Sequence, residues 1–321
     1  LQFAEKFENK GGLGGTYTIR DRISVLATKG YIKFVRDGSP YGMARTTSKF
    51  GYLCTEGMII PGNGETADPD TGEISPTMLE VLRLPEHYAY LAYAGEQPVG
   101  FCSCFETPAD RGTRLEVDML GVLPEHRRQG LATRLVQMAL QAAQARGLRT
   151  FRGVVAVDNA SSQKVFERVG FRRSATPHKL LVFEPGRNPA HSAYPAGWQQ
   201  TVEVEGTFYA PGDEGSPFYA AGPVRQVYRL TQDETLLALG ECLAVRTLAY
   251  TGLWVEKLWA ASPEAAGALG RSIGQRAGEL GMDEAGYLIS DVASQADYYL
   301  ALLEAGYSWW DDYWLYRAGP E

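Results

Sequence analysis

The chain has 321 residues, enough for two domains that each bury a core of their own. It is 45% hydrophobic and 21% charged with a formal net charge of −7, which speaks against a general nucleic-acid binder, because such proteins carry a basic face. Its four cysteines, Cys54, Cys102, Cys104 and Cys242, are too few and too scattered for a disulfide scaffold, and no apolar run is long enough for a membrane span. A cytoplasmic protein with neither nucleic acid nor membrane as partner is the expectation.

Residues 1–15 are polar and glycine-rich and read as a loose segment, whereas 16–20 alternate as a strand does. Over 22–85 the pattern is weak: Pro61-Gly62-Asn63-Gly64 and Asp68-Pro69-Asp70-Thr71-Gly72 are turn signals, so 61–75 reads as a loop and 77–84 as a short helix. From Tyr88 the periodicity sharpens. Strands are predicted over 89–94, 99–106 and 114–123, then a helix over 130–146 with Leu131, Leu135, Met138 and Ala142 on one face and Gly147 behind it. A strand over 151–157, a helix over 161–169 closed by Gly170 and a strand over 179–183 follow. Cys102 and Cys104 alternate on a strand and read as packing residues.

The stretch 184–197 is rich in proline and glycine and reads as a linker, which divides the chain into domains at 1–185 and 198–321 around a linker at 186–197. The second half repeats the first in outline, with strands over 253–259, 286–290 and 309–316 and helices over 263–280 and 294–304. The interval from Leu123 to Phe171 equals that from Trp259 to Tyr307. The aromatic group Trp309, Trp310, Tyr313, Trp314 and Tyr316 reads as core or interface, with a stacking wall for a ligand as the lesser alternative.

The segment Leu123-Pro124-Glu125-His126-Arg127-Arg128-Gln129-Gly130-Leu131-Ala132-Thr133 carries most of the chemistry. A strand, a basic loop containing glycine and a helix N-terminus make an anion site, because the first helical amides lack partners within the helix and carry partial positive charge. The segment resembles the acyl-CoA-binding motif of the GCN5-related N-acetyltransferases (GNAT), Gln/Arg-x-x-Gly-x-Gly/Ala after a strand. Val122 and Pro124, Asn159 at the start of the next helix and Gly170-Phe171 at its end agree with it over roughly 88–184. The fold implied is α/β (α+β): two tandem GNAT-like domains, each a mixed, mostly antiparallel sheet flanked by helices. In the second copy the basic residues give way to Ala261-Ser262-Pro263-Glu264-Ala265-Ala266-Gly267, so that domain reads as degenerate.

The resemblance implies acetyl-CoA as acyl donor. It assigns the diphosphate to Arg127, Arg128, Gln129, Gly130, Leu131, Ala132 and Thr133, the donor arm and carbonyl to the backbone of Leu120, Gly121 and Val122, and further donor contacts to Asn159 and Ser162. Gly121 inside an apolar strand suits a bulge or close approach there. Glu116 and Asp118 lie two apart on one strand face and are the candidate bases, with a slight preference for Glu116. The tyrosine that serves many family members as general acid is replaced by Phe166, so Ser161, Ser162, the helix N-terminus, water or a group from the second domain must protonate the leaving thiolate. His87, His126, His178 and His191 are scattered, and no metal site is expected. The implied activity is direct transfer, in a ternary complex, to a primary amine of a small metabolite or antibiotic-like acceptor, with a homodimer allowed. The alternative is an acyl-CoA-binding or regulatory module with little turnover, and a longer acyl donor stays open.

Overall fold

The computed structural model describes residues 2–5, 86–94, 97–110, 112–187, 194–205, 225–247, 251–290 and 295–320. The strand expected over 16–20, the loop over 61–75 and the helix over 77–84 lie outside the described residues. The described residues fall into two compact units, one holding residues 1–175, 247–249 and 314–321, the other 176–246 and 250–313.

In the first unit, β1 (Gln2–Glu5), β2 (His87–Ala94), β3 (Gln97–Pro108) and β4 (Thr113–Val122) form an antiparallel run, and β5 (Thr150–Ala156) joins β4 in parallel. β1 pairs Gln2 with Tyr93 and Glu5 with Tyr90, so the start of the loose segment expected over 1–15 is instead a strand. Four residues beside a glycine-rich run are too short an alternation to register as one. Two helices, α1 (Leu131–Ala145) and α2 (Ala160–Arg168), and the two-residue β6 (Arg172–Arg173) complete this part of the chain. α1 buries Leu131, Leu135, Val136, Ala139, Leu140 and Ala143, while Met138 and Ala142 only flank the buried stripe. Its buried face is thus rotated slightly from the one that the sequence suggested. Cys102 and Cys104 are buried in the same cluster, their sulfurs 3.8 Å apart, which fits the packing role.

β5 shows how closely α2 approaches the sheet. A Cβ built on Gly153 would stand 2.1 Å from Cε1 of Phe166, so only glycine lets the ring lie there. Phe166 is itself fixed by edge contact with Phe171 (centroids 4.9 Å apart) and by Tyr316 (5.4 Å). Gly153→Ala is therefore expected to destabilise the chain by about 1–3 kcal/mol through overpacking, read as a fall in Tm.

The second unit holds β7 (His178–Phe183), β8 (Trp198–Glu205), β9 (Arg225–Gln232), β10 (Thr235–Arg246), β11 (Thr251–Ala260) and β12 (Glu284–Ser290), with α3 (Pro263–Glu279) and α4 (Ala296–Glu304). Its strand order is β8-β9-β10-β11-β12-β7; β11 and β12 are parallel and the other pairs antiparallel. Each unit is thus a mixed, mostly antiparallel sheet with flanking helices. The last strand, β13 (Ser308–Ala318), divides: residues 308–313 pair with β7 in the second unit, and Trp314–Glu321 belong to the first, where Tyr316 pairs with Arg173. The structure therefore divides the chain at 175/176 rather than at a linker over 186–197. The first half's terminal strand serves the second unit, and the chain's last residues serve the first. Within the aromatic group, Tyr313 and Tyr316 are buried and Trp309 is 52% exposed.

Candidate functional site

The site is assembled around β4. Its ladder with β3 runs regularly from Gly100–Val122 to Ser103–Met119, then skips a residue so that Cys104 faces Val117. Asp118 is the extra residue, a β-bulge with no partner on β3. The bulge lies three residues before Gly121, which pairs regularly with Phe101. On the other side, the parallel ladder with β5 pairs Arg114–Thr150 through Val117–Gly153 and stops. Beyond Val117 the strands separate, and the stretch holding Leu120, Gly121 and Val122 has no β5 partner. The bulge and the point of separation thus coincide at Asp118.

Beyond β4, a 3-10 turn at Pro124–His126 leads into the loop. Arg127 donates from Nε to the Val122 carbonyl at 3.0 Å, tying loop to strand end, and Gln129 Nε2 reaches the Glu125 carbonyl at 3.4 Å. Arg128 (φ 60°) and Gly130 (φ 78°) both occupy the left-handed region. Alternation of this kind turns successive N–H groups toward one point and makes an anion-binding concavity. A non-glycine residue held there, as Arg128 is, marks stored strain at a functional segment. α1 has no side-chain cap, so the amides of Leu131, Ala132 and Thr133 are left for a ligand. Residues 127–130 are exposed, and a Cβ at Gly130 would meet nothing within 4 Å. The side chain of Leu131 is buried in the core, so this residue can offer a ligand its amide but not its side chain. A strand split, an uncapped helix start and a strained basic loop in line fit an extended thioester carrying a diphosphate.

The two candidate carboxylates differ sharply. Glu116 is buried, and its Oε1 accepts from Arg114 Nε at 2.6 Å and Thr107 Oγ1 at 2.8 Å, its Oε2 from Arg152 Nε at 2.8 Å. Burial opposes its ionisation, but the Arg152 and Arg114 guanidiniums outweigh it and hold the carboxyl at about 2. Asp118 is half-buried and accepts one longer bond, from Ser103 Oγ at 3.3 Å. Burial pushes its carboxyl up to about 7, the Ser103 bond pulling the other way and the Glu116 charge adding to the rise. The geometry thus favours Asp118 over Glu116 as a proton acceptor near neutral pH. A Cβ on Gly100 would meet Leu135 of α1, so strand alternation places Ser103, Thr107 and Glu116 on the sheet face away from α1.

Asn159 caps α2, its Oδ1 accepting from the Ser162 amide at 3.1 Å. Gln163, which the sequence did not single out, donates to the carbonyls of Ala156 and Val157 at 3.1 and 2.8 Å and closes the free end of β5. Phe166 is buried and has no hydroxyl, while Ser161 at the start of α2 is exposed. Among the described residues no group of histidine, cysteine, aspartate or glutamate is arranged to hold a metal.

The second unit repeats the split but lacks the cradle. One offset relates Asp118 to Glu256, Ser103 to Glu241 and Cys104 to Cys242; the β10–β11 register skips Glu256, and the β11–β12 ladder ends at Val255–Tyr287. After β11, however, α3 begins at once. Pro263 contributes no N–H, Glu264 places negative charge in the first turn, and the Ser262 hydroxyl accepts from the Ala265 amide at 3.2 Å. Tyr298, which stands before Gly306 as Ser162 stands before Gly170, donates its hydroxyl to the carbonyl of Ala260 at the end of β11. A helix start already capped and acidic repels a diphosphate. Calorimetric titration with acetyl-CoA is therefore expected to saturate at one equivalent per chain; two equivalents would contradict this.

Residues 62–171 match the model of the Acetyltransferase (GNAT) family. Over 95 residues the chain is 33% identical to N-alpha-acetyltransferase 30 of Schizosaccharomyces pombe; the match covers 29% of this chain and 62% of that protein, so the chain spans about three-fifths of that relative's length. Among solved structures, a tandem GNAT protein from the clavulanic acid biosynthesis pathway is 16% identical, covers 76% of this chain and 88% of its own, and superposes with a TM-score of 0.45. A GCN5-related N-acetyltransferase from Sphaerobacter thermophilus is 15% identical, with coverages of 72% and 80% and a TM-score of 0.44.

Proposed function

We propose that this chain, whose residues 62–171 match the Acetyltransferase (GNAT) family, is an acetyl-CoA-dependent N-acetyltransferase acting on a primary amine. The observation that carries the reading is a coincidence on one strand: the β4–β5 ladder ends at Val117–Gly153, Asp118 bulges at that point, and an uncapped helix start lies beyond the strand's other end. Bound acetyl-CoA supplies an acetyl thioester. The amides of Gly130, Leu131, Ala132 and Thr133 hold its diphosphate, with charge from Arg127 and Arg128. The backbone of Leu120, Gly121 and Val122 orients the donor arm and polarises the carbonyl.

Asp118, with a carboxyl near 7, removes the proton of the attacking amine directly or through water. Phe166 offers the departing sulfur no proton, so exposed Ser161, the half-exposed Ser162 or water must do so. Transfer is direct. Cys102, Cys104 and Cys242 are buried, and burial pushes the thiols of Cys104 and Cys242 up, which leaves these described cysteines poor nucleophiles.

A small metabolite or antibiotic-like amine is the first reading of the acceptor. A protein α-amino group is the second, favoured by the 33% identity to an N-alpha-acetyltransferase. Release of free CoA against a panel of amino acids, polyamines, aminoglycosides and N-terminal peptides separates them. Release with small amines alone supports the first, release with peptides alone the second. Tight donor binding with no acceptor-dependent release would instead support a binding module with little turnover.

A further inference from the structure

On the reading of Asp118 as the base, we propose that Ser103 is a positioning residue that holds the Asp118 carboxylate at the apex of the β4–β5 split. A bulged residue lacks a cross-strand partner, so the ladder alone does not fix where its side chain points. Ser103 is 4% exposed, lies on β3 beside the register skip, and places its Oγ 3.3 Å from Oδ2 of Asp118. Among the described residues it is the one group bonded to that carboxylate. Sitting within the ladder opposite Met119, it is a rigid anchor for a residue that otherwise has none.

The second unit supplies a contrast. There the bulged carboxylate is Glu256 and the place of Ser103 is taken by Glu241, which is engaged by Arg225 at 2.7 Å and Lys257 at 3.7 Å. The hydroxyl–carboxylate pair therefore occurs in the unit with the open anion cradle and is missing from the unit whose helix start is capped. Among the described residues, the charged and titratable groups facing Asp118 are Glu116 on its own strand, itself held by Arg114 and Arg152, and the buried Cys104 on β3. The Ser103 hydroxyl donates to the carboxylate and so favours the ionised form that accepts a proton.

The test is kcat/KM against pH for the parent, Ser103→Ala, Ser103→Thr and Asp118→Asn, with the Kd for acetyl-CoA measured alongside. Ser103→Ala is expected to move the acid limb up by about one pH unit, a roughly tenfold loss below it, with donor affinity unchanged. Ser103→Thr, which keeps the hydroxyl, is expected to restore the limb. If the alanine variant does not fold, Ser103→Cys, close in volume and a poor donor, reads the same shift. A Ser103→Ala profile that superposes on the parent's while Asp118→Asn is inactive overturns the positioning role and leaves the base in place. Full activity in Asp118→Asn removes both.

Discussion

Asp118→Asn is expected to lower kcat/KM by about 10²–10⁴-fold, the usual contribution of a positioned general base, while acetyl-CoA affinity stays at the parent level. The variant keeps the shape and the Ser103 contact but cannot take up a proton. It also makes an opposite prediction for stability. A carboxyl whose ordinary value is 3.8 and which the fold holds at about 7 stays protonated in the folded chain after the unfolded chain has ionised. Folding is therefore undisturbed by this group below pH 3.8, is progressively weakened as pH rises to about 7, and carries the full cost above that. Asparagine removes the cost, so the Tm of the variant should gain on the parent's across this window and hold the gain above it. Lower activity with higher stability is a pattern that damage to the fold does not produce.

Glu116→Gln separates the two carboxylates. The buried Glu116 neutralises the half-buried guanidiniums of Arg114 and Arg152, and removing one partner of such a cluster costs up to about 3–5 kcal/mol. Losing the Glu116 charge should also move the acid limb set by Asp118 down, but on the plateau above that limb the variant's activity loss should follow its loss of folded protein, whereas that of Asp118→Asn should not. Equal specific activity losses in two equally stable variants would restore Glu116 as a candidate base.

The anion cradle was legible in the sequence because its signals are local: a basic glycine turn, a preceding strand and a following helix lie within a dozen residues, and Gly130 adopts the positive φ that such a turn requires. The choice between Glu116 and Asp118 was not legible. It depends on which residues of β3 and β5 stand opposite, and the skip at Asp118 is a property of the β3–β4 register rather than of β4. The guanidinium of Arg152 reaches Glu116 from a strand 36 positions away in the chain. The β9–β10 hairpin was missed for another reason. Its turn, Asp233-Glu234, places both residues at positive φ without the glycine or asparagine that ordinarily announces such a turn. The division of β13 between the units is a long-range pairing that leaves no mark in the local pattern.

Gly130→Trp is expected to weaken acetyl-CoA binding by about 100-fold or more, as the loss of two charge-assisted hydrogen bonds of about 1.5–3 kcal/mol each implies. Two effects separate at this position. Any side chain at φ 78° pays a backbone cost of about 1–3 kcal/mol, and Gly130→Ala pays it as well. The space around a Cβ there is open to 4 Å, so neither variant meets a protein atom at that position, and the bulk of the indole is expected to cover the amides that start α1. The two variants should therefore share a similar Tm, while only the tryptophan variant loses the donor in calorimetry. The remote Asp118 site should be intact in both, so turnover at saturating donor should recover toward the parent's in the alanine variant. An unchanged Kd in Gly130→Trp would mean that the diphosphate lies elsewhere, and the placement of the thioester along β4 would fall with it.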